Sequence, residues 1–169
     1  MKAVVRNVLP NHIIDEVWAL YRNTTNSIEI DGRVSDRHSS GQNGMFLLSK
    51  YTVDEFKNVW DSVEKLAEIT VGSKLELVYC RVLKYGLNGH IVKHVDAYAS
   101  EWQKENDISI IIQLSDPGKY RGGELIISKE LMDLQPGDML IYTYEHEHEV
   151  KPVKDGLRYV INLRCKRIK

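Results

Sequence analysis

The stretch ISIIIQLSDPGKYRGGELIIS, residues 108–128, decides the fold class of this chain. Two short runs rich in isoleucine and leucine, 108–114 and 123–128, flank a segment that contains Asp, Pro and Gly. Short β-branched runs bounded by such turn residues are typical of β-strands. No helix separates the two runs, so they are predicted to be strands of an antiparallel sandwich or barrel.

The same pattern extends over the second half of the chain. Turn segments such as GLNG and LQPGD separate four further short, β-branched or alternating runs: KLELVYCRVLKY (74–85), HIVKHVDAY (90–98), DMLIYTY (138–144) and LRYVINLRCKR (157–167). Several strands in succession without an intervening helix favour an antiparallel sandwich or barrel over a parallel α/β sheet. The residues from 74 onward are therefore predicted to form a β core.

The residues before 74 are predicted to be mainly helical. The segment 11–23, with Asn11 as its cap, places four apolar residues on one helical face: Ile13, Ile14, Val17 and Leu20. A second helix is indicated by a capping box of Thr52 and Glu55, followed by an apolar stripe of Phe56, Val59, Trp60, Val63 and Leu66. Between the two helices, the polar and glycine-bearing segment 27–44 predicts a long surface loop.

Composition bounds the class of protein. At 169 residues the chain is most simply one domain, 1–169, with a helical front over 1–73 and a β core over 74–169. Its 23 basic and 24 acidic residues nearly cancel, so no strong field attracts nucleic acid or a membrane. No apolar run resembles a secretory signal or reaches membrane-spanning length, and the cysteines are only Cys80 and Cys165. These features predict a cytoplasmic protein with reduced thiols.

Histidine and aspartate are spaced for a metal site. His94 and Asp96 lie two residues apart in a predicted strand, so both side chains would point to one side. The stretch EHEHEV, residues 145–150, adds His146 and His148, which would share one face if they lay in a strand. Either one would complete a set of two histidines and one carboxylate, which suits Fe(II) with open coordination positions. The alternative interpretation of His94 and Asp96 is a hydrogen-bonded surface pair.

Arg158 is spaced so that it could lie close to the predicted metal site. Arg158 lies ten residues after His148, beyond a turn predicted at 154–156, and two antiparallel strands joined there would bring it back beside the metal region. A guanidinium in such a pocket suits a bidentate grip on a carboxylate. The alternative is an ordinary ion pair with Glu145 or Glu147.

Four motifs in order resemble one known family. HVD (94–96), RGGEL (121–125), LQPGDMLIY (134–142) and HEVKPVKDGLRY (148–159) are similar to motifs of the iron(II)/2-oxoglutarate-dependent dioxygenases, in their prolyl 4-hydroxylase-like branch. The strong match covers about 85–164, and RHSSGQNGMFL (37–47) is similar to a segment beside the family's substrate groove. The resemblance implies a double-stranded β-helix, or jelly roll, backed by N-terminal helices. In fold class this is an α+β, mainly β protein.

The resemblance also implies roles for single residues. It makes His94, Asp96 and His148 the iron ligands and leaves His146 without a motif position. It makes Arg158 the partner of the distal carboxylate of 2-oxoglutarate. Two further cosubstrate contacts are implied, Tyr85 and, more weakly, Ser109. The implied cofactors are Fe(II), 2-oxoglutarate and O2, with ascorbate as a further candidate.

The expected activity is hydroxylation of a C–H bond, with release of succinate and CO2. The family's default substrate is a prolyl or other peptidyl residue, but Arg164 stands where prolyl hydroxylases commonly carry tryptophan and would favour a polar or anionic group. Arg37 and Tyr98 are further substrate-side candidates, and 27–44 is predicted to close over the iron when substrate binds.

Other functions stay open. The alternatives are hydroxylation of a free amino acid or nucleobase, a non-redox cupin-like metal-binding protein, and an inactive binding module. A peptide, a protein or a small molecule is the expected partner, rather than a membrane or nucleic acid.

Overall fold

The computed structural model describes residues 1–25, 27–30, 44–96 and 107–168. Within these residues lie two α-helices, α1 (Asn11–Arg22) and α2 (Lys57–Val71). The strands, in chain order, are β1 (Lys2–Val5), β2 (Ser27–Ile30), β3 (Gly44–Tyr51), β4 (Leu75–Tyr85), β5 (His90–His94), β6 (Ile108–Gln113), β7 (Tyr120–Gly122), β8 (Leu125–Ile127), β9 (Glu130–Leu131), β10 (Met139–Thr143), β11 (His148–Val150), β12 (Val153–Gly156) and β13 (Arg158–Arg167).

The strands form two antiparallel layers that share β3. The larger layer has the order β1-β10-β6-β13-β4-β3, with β2 also paired to β3. The smaller layer has the order β5-β11-β8-β9 and joins the larger one where Gly44 of β3 pairs with Ile91 of β5. Strands β7 and β12 pair separately. This mainly antiparallel architecture is consistent with the predicted jelly roll.

Alternation along the central strands explains why they are apolar on both faces. In β6, Ile110 and Ile112 belong to a cluster on the helix side, whereas Ile111 belongs to a cluster between the two layers. The second cluster also contains Leu125 and Val150 of the smaller layer. A strand buried on both faces is apolar at successive positions, which accounts for the three consecutive isoleucines at 110–112.

The helices contribute seven buried residues to the cluster on the helix side. The buried residues of α1 are Ile13, Ile14 and Val17, and those of α2 are Val59, Trp60, Val63 and Ala67. The predicted capping box exists, since Thr52 and Glu55 exchange hydrogen bonds, although α2 begins only at Lys57. Two predictions were wrong: Pro10, not Asn11, occupies the N-cap of α1, and Leu66 is 40% exposed because Ala67 takes the buried position.

The front of the chain is not only helical, contrary to the sequence prediction. Strand β1 pairs with β10, and β3 pairs with both β4 and β5, so residues before 74 complete both layers. Of the predicted surface loop 27–44, residues 27–30 form β2 and Gly44 begins β3, while 31–43 lie outside the described residues. Cys80 and Cys165 are free and buried, as predicted. Neither described helix is long and apolar enough to cross a membrane.

Candidate metal centre and carboxylate site

Three side chains of ligand type converge at one end of the smaller layer. His94 ends β5 and His148 begins β11, and the antiparallel register places these two residues directly opposite each other. Their ring centroids lie 4.2 Å apart. Asp96 follows β5 after one residue, and the ligand atoms of the three residues all lie within 4.8 Å of one another. The structure therefore brings together the set that the sequence predicted.

The two histidines direct the same ring nitrogen toward this point. His94 Nδ1 lies 2.8 Å from the carbonyl oxygen of Val92, and His148 Nδ1 lies 2.9 Å from that of His146. Because a carbonyl can only accept, each Nδ1 carries the proton and each Nε2 keeps its lone pair. His94 Nε2 is buried without a hydrogen bond, 3.4 Å from Asp96 Oδ1. A buried lone pair beside a carboxylate and a second imidazole fits a divalent metal such as Fe(II).

Asp96 is held by an arginine that the sequence did not connect with it. Arg164 Nη2 donates to Asp96 Oδ2 over 2.7 Å, and both residues are almost fully buried. Burial raises the pKa of Asp96, but the Arg164 guanidinium beside it acts in the opposite direction, and the pKa of this carboxyl lies well below its usual range. The carboxylate therefore stays ionised, with Oδ1 left on the side of His94.

His146 belongs to a different set of contacts. It lies in the turn before β11 rather than in a strand, so the prediction that it shares a face with His148 was wrong. Its Nδ1 lies 2.8 Å from Ser128 Oγ, and its Nε2 lies 3.1 Å from the amino nitrogen of Met1. His148, not His146, is thus the histidine that meets His94.

A cavity between the two layers connects the metal group with Arg158. Arg158 is 3% exposed, and no carboxylate of the described residues forms an ion pair with it. Its Cζ lies 5.3 Å from the ring centroid of Tyr85, which is opposite it in the register. Burial raises the pKa of Tyr85 to about 12, although Arg158 offsets part of that effect. Within the part of the chain that the structure describes, the cavity therefore contains a buried cation without an acidic counterpart.

Two sequence interpretations of Arg158 were wrong. It does not pair with Glu145 or Glu147, because Glu145 accepts from Thr143 and Glu147 lies 3.5 Å from Lys93. The expected hairpin is also absent from the described strands. Strand β11 pairs with β5 and β8, whereas β13 pairs with β4 and β6 in the other layer. Arg158 reaches the metal group across the cavity rather than along a hairpin.

The floor of the cavity is a ladder of cross-strand pairs between β4 and β13. From one end to the other the pairs are Tyr85–Arg158, Leu83–Val160, Arg81–Asn162 and Tyr79–Arg164, and all eight residues line the cavity. Ser109 is opposite Arg164 and fully buried, but it is not among the lining residues. Arg37 and Tyr98 lie outside the described residues. The ladder thus begins at the unpaired Arg158 and ends beside Asp96.

A double-layered antiparallel fold that encloses two histidines, a carboxylate and a buried arginine is consistent with a jelly-roll protein whose His94, Asp96 and His148 could hold a metal ion. Residues 80–163 match the family model of the 2OG-Fe(II) oxygenase superfamily, and the chain belongs to this superfamily. A PKHD-type hydroxylase of Sphingopyxis alaskensis is 31% identical over 146 residues, which cover 78% of this chain and 64% of that protein. One from Crocosphaera subtropica is 36% identical over 87 residues, or 48% of this chain and 39% of the relative. The chain thus spans less than two thirds of these relatives.

Solved structures share the fold at low sequence identity. A prolyl-4-hydroxylase of Pseudomonas putida has a TM-score of 0.71 at 13% identity, covering 99% of this chain and 93% of its own. The alpha ketoglutarate dependent epimerase SnoN has a TM-score of 0.77 at 17% identity, covering 98% and 76%. Because these two proteins catalyse different reactions, the structural similarity establishes the fold but does not indicate which reaction this chain catalyses.

Proposed function

We propose that this protein is an Fe(II)- and 2-oxoglutarate-dependent dioxygenase that hydroxylates a C–H bond of its substrate. The observation that supports it best is the buried Arg158, which has no acidic partner among the described residues and lines the same cavity as His94, Asp96 and His148. A desolvated cation without a counter-charge is costly, so an anionic ligand is expected beside it. A dicarboxylate keto acid satisfies both the metal and the arginine.

The three metal-binding side chains would hold Fe(II) through His94 Nε2, His148 Nε2 and Asp96 Oδ1. When bound, iron, 2-oxoglutarate and O2 supply the oxidising chemistry, which converts the keto acid to succinate and CO2 as the substrate is hydroxylated. Arg164 donates to Asp96 Oδ2, so Asp96 Oδ1 is the carboxylate oxygen that would bind the metal. Three protein ligands on one side leave positions for the keto acid and O2.

At the other end of the cavity, Arg158 would bind the distal carboxylate of 2-oxoglutarate in a bidentate grip. The next pair of the ladder, Leu83 and Val160, is apolar and suits the methylene groups of the keto acid. Tyr85, 1% exposed, would donate its hydroxyl proton to the same carboxylate, since its raised pKa keeps it protonated. Ser109 lies beyond Arg164 in the register and stays a weaker proposal for cosubstrate binding.

The described elements would act as one catalytic domain, because residues of both strand layers line this cavity and the helices pack against the other face of the larger layer. The default substrate is a peptidyl residue, by analogy with the relatives named as PKHD-type and prolyl hydroxylases. Hydroxylation of a free amino acid or nucleobase is the second candidate, favoured by the polar Arg164 position. Arg37 and Tyr98 are proposed substrate-side residues. Ascorbate is proposed as an accessory reductant.

An anaerobic titration tests this function. Fe(II) and 2-oxoglutarate are added to the protein under nitrogen, and a weak visible charge-transfer band is expected only if the keto acid chelates the metal. Arg158→Met should require far more 2-oxoglutarate for the same band, whereas Arg121→Met, an exposed arginine on β7, should match the wild type. A non-redox, cupin-like metal protein would bind the metal without the band. That outcome would refute the proposal.

A further inference from the structure

A second arginine that forms no ion pair with a described carboxylate lines the same cavity. It lies two cross-strand pairs along the β4–β13 ladder from Arg158. Arg81 lies on β4 opposite Asn162 of β13, and both side chains line the cavity. The Arg81 guanidinium stacks on Tyr79, with Cζ 3.9 Å from the ring centroid. Stacking covers one face of a guanidinium and leaves its in-plane N–H donors free. No carboxylate of the described residues forms an ion pair with Arg81.

The neighbour of Arg81 on its other side is also a cation. Strand β3 places Lys50 directly opposite Arg81, and residues directly opposite in an antiparallel sheet project from the same face. Lys50 is exposed and, within the described part of the chain, forms no ion pair. Like charges directly opposite each other are destabilising. The sheet therefore carries a repulsive pair of cations at the edge of the cavity, with the amide of Asn162 completing the row.

The charge of the cavity exceeds what the proposed ligands neutralise. Its described lining residues include three arginines, Arg81, Arg158 and Arg164, and one acid, Asp96. A divalent metal adds two positive charges and a dicarboxylate keto acid removes two, so a net excess of two remains from the lining itself. Arg164 is balanced by Asp96 and Arg158 by the distal carboxylate of the keto acid, so Arg81 is the arginine of the lining that is left without a described counter-charge. The adjoining Lys50, outside this count, adds a further positive charge. A neutral prolyl side chain supplies no counter-charge.

We propose that Lys50, Arg81 and Asn162 form an anion-binding subsite for the substrate, so that the substrate carries a carboxylate or phosphate group close to the carbon that is hydroxylated. This inference rests on the proposed function and specifies the class of its substrate. The fork of Arg81 donates two parallel hydrogen bonds to an oxyanion, Asn162 adds an amide donor, and Lys50 adds charge at the entrance. The two cations that repel each other in the free protein are then bridged by one anion.

Equilibrium binding to the protein loaded with Mn(II) and saturated with 2-oxoglutarate, under nitrogen, tests the subsite without turnover. The probes are matched pairs that differ in one charge: a peptide with a central Glu against the same peptide with Gln or Pro, and a nucleoside monophosphate against its nucleoside. The anionic member of at least one pair should bind at least about tenfold more tightly than the neutral one. The pair that responds distinguishes carboxylate from phosphate.

Single-residue variants test whether the row of Lys50, Arg81 and Asn162 causes the preference for the anionic probe. Arg81→Gln should weaken binding of the anionic probe about tenfold or more, and Lys50→Gln severalfold, because each removes one charged donor. Arg81→Lys should retain part of the affinity. Arg121→Gln, an exposed arginine away from the cavity, is the matched control and should bind like the wild type. Thermal unfolding of each variant without ligand confirms that it is folded.

Three outcomes would overturn the subsite. The neutral or prolyl probes could bind as well as the anionic ones, or Arg81→Gln could behave like Arg121→Gln. Alternatively, Arg81→Gln could weaken 2-oxoglutarate itself tenfold, which would assign the row to the keto acid rather than to the substrate. Failure of the proposed function is separate from these outcomes: wild-type protein with Mn(II) would then show no measurable affinity for 2-oxoglutarate at all.

Discussion

Two buried arginines six residues apart on β13 have opposite surroundings. Arg164 donates to Asp96 over 2.7 Å, whereas Arg158 meets a tyrosine ring and no carboxylate within the described residues. The charge of Arg164 is therefore balanced by Asp96, whereas the charge of Arg158 is not balanced by any carboxylate of the described residues. A buried arginine without a described carboxylate partner, such as Arg158, indicates where an anionic ligand binds. A buried arginine that pairs with a carboxylate, such as Arg164 with Asp96, holds that carboxylate in place.

The largest expected effect concerns the metal end. His148→Ala removes one of three ligands, so we expect it to abolish Mn(II) or Fe(II) binding, measured by calorimetry or electron paramagnetic resonance, together with turnover. His146→Ala is the control, because His146 contacts Ser128 and Met1 instead of the ligand group. If His146→Ala were the inactive variant, the assignment of His148 as the metal ligand would be wrong.

Arg164→Met should be the most destabilising change among the arginines. It leaves the carboxylate of Asp96 buried without its partner, which costs about 3–5 kcal/mol of unfolding free energy. Chemical denaturation measures this loss, and metal affinity should fall roughly 10- to 100-fold because Asp96 is no longer oriented. Arg167→Met is a matched control on the same strand, since the Arg167–Asp107 pair is partly exposed and should contribute about 1 kcal/mol or less. Equal losses of unfolding free energy in Arg164→Met and Arg167→Met would contradict the prediction that the buried pair contributes more than the partly exposed one.

Arg158→Met should act on ligand affinity and not on stability. Removing this cation takes away no ion pair with a carboxylate of the described residues, so the ligand-free protein should unfold at the same free energy or a slightly higher one. Affinity for 2-oxoglutarate should fall by on the order of 2–5 kcal/mol, which is about 30-fold or more. Arg158→Lys should lose less because it keeps the charge. A destabilised Arg158→Met protein with normal 2-oxoglutarate affinity would make Arg158 a structural residue.

The smallest expected effect is a gain in stability. Arg81→Gln removes one of two like charges that are directly opposite each other, so the ligand-free protein should gain a few tenths of a kcal/mol. Differential scanning calorimetry at low salt measures the shift, which should shrink as added salt screens the repulsion. Lys84→Gln is the control: Lys84 lies three residues after Arg81 on β4, has its amine over the Tyr159 ring, and should show no such gain. A loss of stability in Arg81→Gln would mean that its stacking on Tyr79 outweighs the repulsion.

The sequence by itself determined the strand pattern of the second half, the capping box at Thr52 and Glu55, and the spacing of His94 and Asp96; the choice of His148 over His146 came from the family resemblance. These features depend on local spacing: alternation and turn residues act within a few positions, and His94 and Asp96 are only two residues apart. Arg158 was also predicted from its distance to His148, although the reason given for it, a hairpin, was wrong. The spacing of the motifs correctly indicated that Arg158 lies in the same cavity as the histidines and Asp96, although the predicted hairpin between the motifs does not form among the described strands.

Only the tertiary structure decided which partners the distant residues have. Asp96 and Arg164 are separated by 68 positions and meet because β13 crosses beneath the smaller layer. Lys50, Arg81 and Asn162 come from three strands and form a row only through the register of β3, β4 and β13. The turn before β11 aims His146 at Ser128, which spacing alone could not indicate. Register between distant strands is set by the packing of both faces at once, so charge balance inside the cavity is a property of the folded chain.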